Sequence, residues 1–325
     1  MEEFARFVLN DAEISSRLKS LRHDLASAVN RWPRNSLLAA RDTDADVGTE
    51  IGEPSEYARL NLATVVIAAA SRTQQSLRVL EEYGKTIDAS VAAEIEQIRY
   101  RCYTTSAKLE LHLQRDDRRW RLTQSRLYVL VDAGPSEQLF SDRVRELAQG
   151  SVDILQLRDR EVDDRTLLSR AKLGTEISRR FGKLFIMNDR PDLAVAADTD
   201  GVHVGQDELP VSEARWIVGP QRLIGVSTHS IEQARDAVAE GADYIGCGPV
   251  FAGRTKSFDS YVGTSLLKEV ASEIGIPAFA IGGIDDSNLD QVIEAGFRRI
   301  AVTGAVRDAS DMAAAARALK ERLEK

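Results

Sequence analysis

From Leu127 to the end of the chain, short apolar runs alternate with amphipathic segments, and this alternation constrains the fold more than any other feature. The runs are LYVLVD (127–132), DILQLR (153–158), LFIMN (184–188), GVHVG (201–205), LIGV (223–226), DYIGCG (243–248), PAFAIGG (277–283) and RIAVTG (299–304). Parallel strands buried on both faces read as near-continuous hydrophobic stretches, as these do. Segments of helical period stand between most of them: Arg165–Arg180, Ser230–Glu240, Asp286–Ala295 and Ser310–Glu324. Such units, repeated over roughly 200 residues, predict a closed (β/α)8 barrel rather than an open sheet.

Residues 1–120 read differently, as a smaller all-α domain. Leu18, Leu21, Leu25 and Val29 recur at helical spacing. Leu62, Val65, Val66, Ala69, Leu77, Val79 and Leu80 suggest a long helix or a pair, and Ile95, Ile98 and Cys102 another. The polar segment Arg41–Pro54, with two glycines and a proline, reads as a loop. A faint repeat links EEFARFVLND at the start to EEYGKTIDAS at Glu81–Ser90, as though the chain began inside its first copy. The expected division is 1–120 and 121–325, with the boundary in the charged stretch Arg115–Arg126.

A net charge of -8 argues against a general nucleic-acid binder, so anionic ligands must be held by local cations or backbone groups. Cys102 and Cys247 are far apart and outside any C-x-x-C pattern, which argues against a disulfide framework or a zinc site and for a reducing cytoplasm. The N-terminus lacks signal-peptide architecture, and no apolar run approaches a membrane span. The sequence is compatible with a homo-oligomer.

In a barrel of this kind functional side chains gather at the C-terminal ends of the strands. Here those ends are polar: Gln156-Leu157-Arg158-Asp159-Arg160, Asn188-Asp189, Gln206-Asp207-Glu208, Ser227-Thr228-His229, a segment from Gly248 through Arg254-Thr255-Lys256, Gly282-Gly283 and Thr303-Gly304. Each has a plain structural reading; Asp189 before Arg190-Pro191, for example, also suits a helix cap. Their coincidence on one rim has a chemical logic. Asp189 with Glu208, or with Asp207 in its place, offers hard oxygen ligands to Mg2+. Arg158, Arg160 and Lys256 suit the neutralisation of a pyrophosphate on that metal. Backbone N–H groups at Gly282-Gly283 and Thr303-Gly304 suit a second phosphate.

At these residues the sequence resembles the thiamine-phosphate synthase family, over about Leu127 to the C-terminus. Gln156-Leu157-Arg158-Asp159-Arg160 resembles the family's Q-L-R-x-K, and Asn188-Asp189-Arg190 its N-D-R. Gly201–Gln206 resembles G-V-H-L-G-Q, and Gly225–His229 is G-V-S-T-H. Gly248-Pro249-Val250-Phe251 through Thr255-Lys256 resembles G-P-I-F-x-T-x-T-K, and Ala280–Ile284 is A-I-G-G-I. The resemblance implies coupling of hydroxymethylpyrimidine diphosphate to hydroxyethylthiazole phosphate, with loss of pyrophosphate. It implies Asp189 and Glu208 on Mg2+, with Arg158, Arg160 and Lys256 on the leaving group. Gln156 and Ser227 would orient the pyrimidine, with Asn188 on its diphosphate, and Gly282-Gly283 would meet the thiazole phosphate.

Four positions depart from the family pattern. Arg160 replaces a lysine, Gln206-Asp207-Glu208 replaces Q-E-D or Q-D-D, Gly253 replaces a threonine, and Thr303-Gly304 replaces V-S. They bear on substrate affinity more than on reaction class. His203 suits a structural or orienting role and His229 a helix start, rather than a general base. A thiazole tautomerase-like barrel, another phosphate-handling isomerase and a non-catalytic regulator are the rival readings. Residues 2–110 are similar to the helical domain found fused to such synthases and regarded as a hydroxymethylpyrimidine-phosphate kinase, through Leu18–Leu25, Ala40–Thr43 with Asp46-Val47-Gly48, and Ser76–Tyr83. Arg22, His23, Arg41, Asp42, Asp46 and Arg78 are its candidate nucleotide and metal residues. Gly84-Lys85-Thr86 has only the tail of a P-loop motif, in a helical context.

Overall fold

A computed structural model describes residues 1–39, 62–252 and 261–324. The chain divides into two units, Met1–Gln114 and Arg115–Lys325, at the N-terminal edge of the charged stretch. In the first unit α1 (Glu2–Phe7), α2 (Ala12–Val29), α3 (Arg34–Ala39), α4 (Leu62–Gly84) and the first part of α5 (Ala89–Gln124) follow in order. Asp11 starts α2 by accepting the Ile14 N–H at 2.8 Å, satisfying one of the free donors of the first turn. The Leu62–Leu80 pattern is one helix, with no glycine or proline to break it before Gly84. Leu18, Leu21, Leu77, Ile95, Ile98 and Cys102 lie in one core. Within that unit the buried Arg99 donates to the buried Glu81 at 2.6 Å. Burial pushes the Glu81 carboxyl up, but Arg99, Lys85 and Arg78 outweigh it and hold the net shift downward.

The second unit is a closed barrel of eight parallel strands in sequence order. The strands are β1 (Leu127–Val131), β2 (Ile154–Leu157), β3 (Leu184–Asn188), β4 (Gly201–Val204), β5 (Leu223–Thr228), β6 (Tyr244–Cys247), β7 (Ala278–Ile281) and β8 (Ile300–Val302). Interleaved with and following them are α6 (Glu137–Gln149), α7 (Asp164–Arg180), α8 (Pro191–Ala196), α9 (Val211–Val218), α10 (Ile231–Ala239), α11 (Gly263–Glu273), α12 (Leu289–Glu294), α13 (Gly304–Arg307) and α14 (Met312–Glu324). Every strand falls on one of the apolar runs, and β5 runs two residues further, through Ser227-Thr228.

Side chains alternate in and out with the strand period of two. Val129, Leu155, Phe185, Val202, Ile224 and Ile245 face the helical layer. Tyr128, Ile154, Ile186, Leu223, Tyr244 and Phe279 fill the barrel itself, together with Leu122 from the last turns of α5. Those turns are charged because they meet carboxylates at the starts of the strands. Arg118 donates to Asp200 at 2.9 Å, and Arg119 to Asp243 at 2.8 Å. Arg115–Gln124 is therefore helical and closes the bottom of the barrel, leaving the opposite end for ligands. No helix among the described residues is long and apolar enough to cross a membrane.

Candidate functional site

The strand ends bring most of the expected residues to one rim. Arg160, three residues beyond β2, places a single nitrogen between two carboxylates: Nη2 donates to Asp189 Oδ2 at 2.6 Å and to Glu208 Oε1 at 2.8 Å. These partners raise the pKa of the guanidinium above its ordinary value, Asp189 first. Asp189 follows β3 directly and sits at φ 59°, in the left-handed region. Aspartate tolerates that region better than most residues, at a strain of order 1–3 kcal/mol that concentrates at functional sites. Its N–H is tied to the His203 carbonyl at 2.8 Å, which fixes the carboxylate's direction. Asp207 is exposed and points to no described partner, so Glu208 is the carboxylate that joins Asp189.

Two convergent carboxylate oxygens already gathered on a cation fit a hard divalent ion. Mg2+ ordinarily takes one or two protein carboxylates and completes its shell with water and substrate phosphate. Among the described residues no group of three or more His, Cys, Asp or Glu side chains is placed to hold a metal ion. Asn188 is buried at the end of β3, and its amide makes no hydrogen bond to a described residue. Arg158, half-buried, makes no ion pair with a described residue, so its charge is available at the rim.

Two of the expected residues are engaged by the fold itself. The Leu157 side chain is fully buried and faces the helices. Asp159 accepts the Ala133 N–H at 3.1 Å and the Glu161 N–H at 2.9 Å, so its carboxylate shapes the loops. The ring of His229 binds the Gly248 carbonyl and its N–H donates to Gln233, a loop-tying role. Gly253, Arg254, Thr255 and Lys256 lie outside the described residues, as do Arg41, Asp42 and Asp46 in the first unit.

Gly282 and Gly283 have φ of 100° and 64°, and a Cβ on either would strike the backbone of Pro249–Ala252. Only glycine permits that approach. The pair holds the loop after β6 through the Phe251 N–H, which donates to the Gly282 carbonyl at 3.0 Å. Thr303 precedes α13 without spending its hydroxyl on a cap bond, and Gly304 opens that helix.

Inside the rim lies a polar file. Gln156 Nε2 donates to Tyr128 Oη at 2.8 Å, and the Tyr128 and Tyr244 hydroxyls pair at 3.0 Å. Tyr244 Oη lies 3.3 Å from His203 Nδ1, and His203 Nε2 lies 3.0 Å from Ser227 Oγ. Gln206 Nε2 holds the Ser227 carbonyl at 2.7 Å. His203 keeps a partly exposed edge, yet desolvation pushes its pKa down to about 4; Asp189 opposes this and Arg158 adds to it. It is neutral at neutral pH, unsuited to acid–base work there. The tyrosines are the residues that sequence reasoning missed. The signal was a lone hydroxyl at an inward position of the runs LYVLVD and DYIGCG.

In the first unit Arg22 pairs with Glu2, and Arg78 with Glu81 and Glu82. Lys85 of the Gly84-Lys85-Thr86 tripeptide pairs with Glu81 and Glu82 at the end of α4, which is not a phosphate loop.

Residues 127–306 match the family described as thiamine monophosphate synthase, and residues 1–108 match the ThiD2 family. A thiamine-phosphate synthase of Rhodopirellula baltica is 51% identical over 331 residues, covering 100% of this chain and 88% of that protein. A thiamine-phosphate synthase of Nostoc punctiforme is 42% identical, covering 95% of this chain and 85% of that one. Among solved structures, the thiamine phosphate pyrophosphorylase of Pyrococcus furiosus is 33% identical with a TM-score of 0.56, covering 63% of this chain and 97% of that one.

Proposed function

Because the chain belongs to the thiamine monophosphate synthase family, we propose that its barrel joins hydroxymethylpyrimidine diphosphate to hydroxyethylthiazole phosphate, giving thiamine phosphate and pyrophosphate. It is a transferase of thiamine biosynthesis. The observation that carries the site assignment is the convergence of Asp189 and Glu208 on Arg160 at the mouth of the barrel.

In this reaction the bond between the pyrimidine's methylene carbon and the diphosphate oxygen breaks, and its electron pair leaves with pyrophosphate. The lone pair of the thiazole nitrogen forms the new C–N bond. No proton is removed in that exchange, so the demand on the protein is charge placed against the leaving group. Arg158 and Arg160 supply it from the end of β2, and Asn188 offers its amide beside them. Lys256 and Thr255 carry the same assignment from the resemblance. Asp189 and Glu208 are the residues to hold Mg2+, and when bound the ion supplies further positive charge to the departing oxygens. The Gly282-Gly283 turn and the Thr303-Gly304 backbone are assigned to the thiazole phosphate. The first unit is assigned phosphorylation of hydroxymethylpyrimidine phosphate, which would furnish the diphosphate the barrel consumes; the ThiD2 match supports this.

The test is release of pyrophosphate by the purified chain given Mg2+, the pyrimidine diphosphate and the thiazole phosphate, beside a run with the pyrimidine monophosphate and ATP. Thiamine phosphate in the first run supports the barrel assignment, and in the second the kinase assignment. Ligand binding without product in the first run would replace the barrel assignment with a regulator.

A further inference from the structure

One side chain from each of β1, β2, β4, β5 and β6 joins the file that runs Gln156–Tyr128–Tyr244–His203–Ser227 through the upper barrel. Gly225 makes room for it, since a Cβ there would collide with the Tyr244 ring and with His203 Nδ1. Phe279 packs edge-on against both tyrosines, with centroids 5.4 Å and 5.8 Å away, and keeps their hydroxyls facing one another.

The file has a direction. An amide nitrogen only donates, so Tyr128 Oη receives from Gln156 and has one hydrogen left to give. Tyr244 Oη is its only other described partner, and a buried hydroxyl hydrogen without an acceptor costs ~1–3 kcal/mol. Tyr244 in turn has His203 Nδ1 as its acceptor. Each ring nitrogen of His203 meets a hydroxyl and neither meets a carboxylate. With Nδ1 accepting, the neutral ring carries its hydrogen on Nε2 and donates to Ser227 Oγ. No other described residue bonds the Ser227 hydroxyl, so its own hydrogen is left for the rim.

We propose that Tyr128 and Tyr244 are positioning residues that lock His203 as its Nε2–H tautomer and so make Ser227 a hydrogen-bond donor to an acceptor atom of the heterocyclic substrate. The role of Ser227 as a substrate contact rests on the proposed function; the direction of the file does not. Through it the barrel interior selects a ring that presents a lone pair at that point over one that presents an N–H. Specificity of this kind follows from leaving a mismatched polar group unpaired.

The test uses the full chain labelled with 15N-histidine. The chain has four histidines, and His203→Gln assigns the resonance. The wild-type spectrum should show His203 protonated on Nε2, and Tyr244→Phe should release the Nδ1 side and mix the tautomers. Tyr244→Phe should raise KM for the pyrimidine diphosphate ~2–10-fold, as loss of one neutral hydrogen bond does, with a smaller change in kcat. In a Ser227→Ala background the same substitution should add nothing, because the file then ends on no donor. An Nδ1–H tautomer in the wild type overturns the proposal. So does a Tyr244→Phe effect that persists in full without Ser227, or a Tyr244→Phe variant that lowers Tm while leaving the tautomer unchanged. A wild-type chain without turnover would fail the proposed function, and the histidine spectrum would still decide the file.

Discussion

Replacing Arg160 with glutamine should tighten the binding of a divalent cation in the absence of substrate while weakening that of the diphosphate. The guanidinium holds the two carboxylates proposed to take the metal, 2.6 Å from Asp189 and 2.8 Å from Glu208. The arginine side chain is 59% exposed and the carboxylates 18% and 24%, so these are surface-class ion pairs. Such pairs are worth ~0.2–1 kcal/mol each. Because one nitrogen serves both, the two add less than fully, and an arriving cation must displace ~0.5–1.5 kcal/mol of pairing. At ~1.4 kcal/mol per tenfold, Arg160→Gln should bind metal about 2–12-fold more tightly. The assay is Mn2+ titration followed by electron paramagnetic resonance, without substrate, with pyrophosphate affinity measured in parallel. Equal or weaker Mn2+ binding by Arg160→Gln would refute the argument, because it would mean that the arginine does not compete for those oxygens. Opposite shifts for metal and pyrophosphate separate this account from general damage to the rim.

Glu208→Gln and Asp189→Asn should each cost at least ~100-fold in turnover if charge stabilisation of the leaving group dominates, while circular dichroism stays unchanged. Asp207→Asn should stay within a few-fold of wild type, and a reversal of that order would move the ligand to Asp207. His203 is protonated near pH 6.5 in the unfolded chain but only near 4 when folded. Between those values the unfolded state holds more protons, so stability falls as pH drops through that window, by up to ~3 kcal/mol. His203→Gln should therefore lose less stability than wild type between pH 7.5 and 4.5 in urea titrations, and parallel losses would contradict the shift. Arg99→Leu should destabilise the first unit by ~1–3 kcal/mol, since it removes the one buried partner of Glu81 and leaves that carboxylate only the longer contacts from the exposed Arg78 and Lys85. Thermal unfolding with a midpoint unchanged from wild type would show that Arg78 and Lys85 suffice.

The barrel was legible because strands buried on both faces exclude polar residues, so Gln156 and His203 stand out inside the runs and Asn188-Asp189 and Arg158–Arg160 mark where they end. Ser227 and Glu208 could be placed on the same rim for that reason. The partnership of Arg160 with both carboxylates was not legible, because it depends on how far a flexible side chain reaches across two strand ends. Tyr128 and Tyr244 were missed for a different cause. Tyrosine is an ordinary strand former, and only closure of the sheet brings the first and sixth strands face to face. The motif string also spans Leu157 and Asp159, which the fold itself engages. Strand alternation turns the leucine away from the site, and backbone donors claim the aspartate. Arg118 and Arg119 read as part of a charged boundary stretch until the fold sets Asp200 and Asp243 beneath them.

The last turns of α5 also decide where the barrel can be severed from the rest of the chain. A fragment beginning at Leu127, where the family match starts, would lose Leu122 together with the arginines that answer Asp200 and Asp243. Its lower hydrophobic layer, Ile154, Leu184 and Leu223 among it, would face water, and Asp200 would be left without a cation at its base, while Asp243 would keep Arg215. A fragment beginning at Arg115 keeps its own stopper. The catalytic half of this protein thus starts, in physical terms, a dozen residues ahead of its first strand, inside a helix that most of its length spends elsewhere.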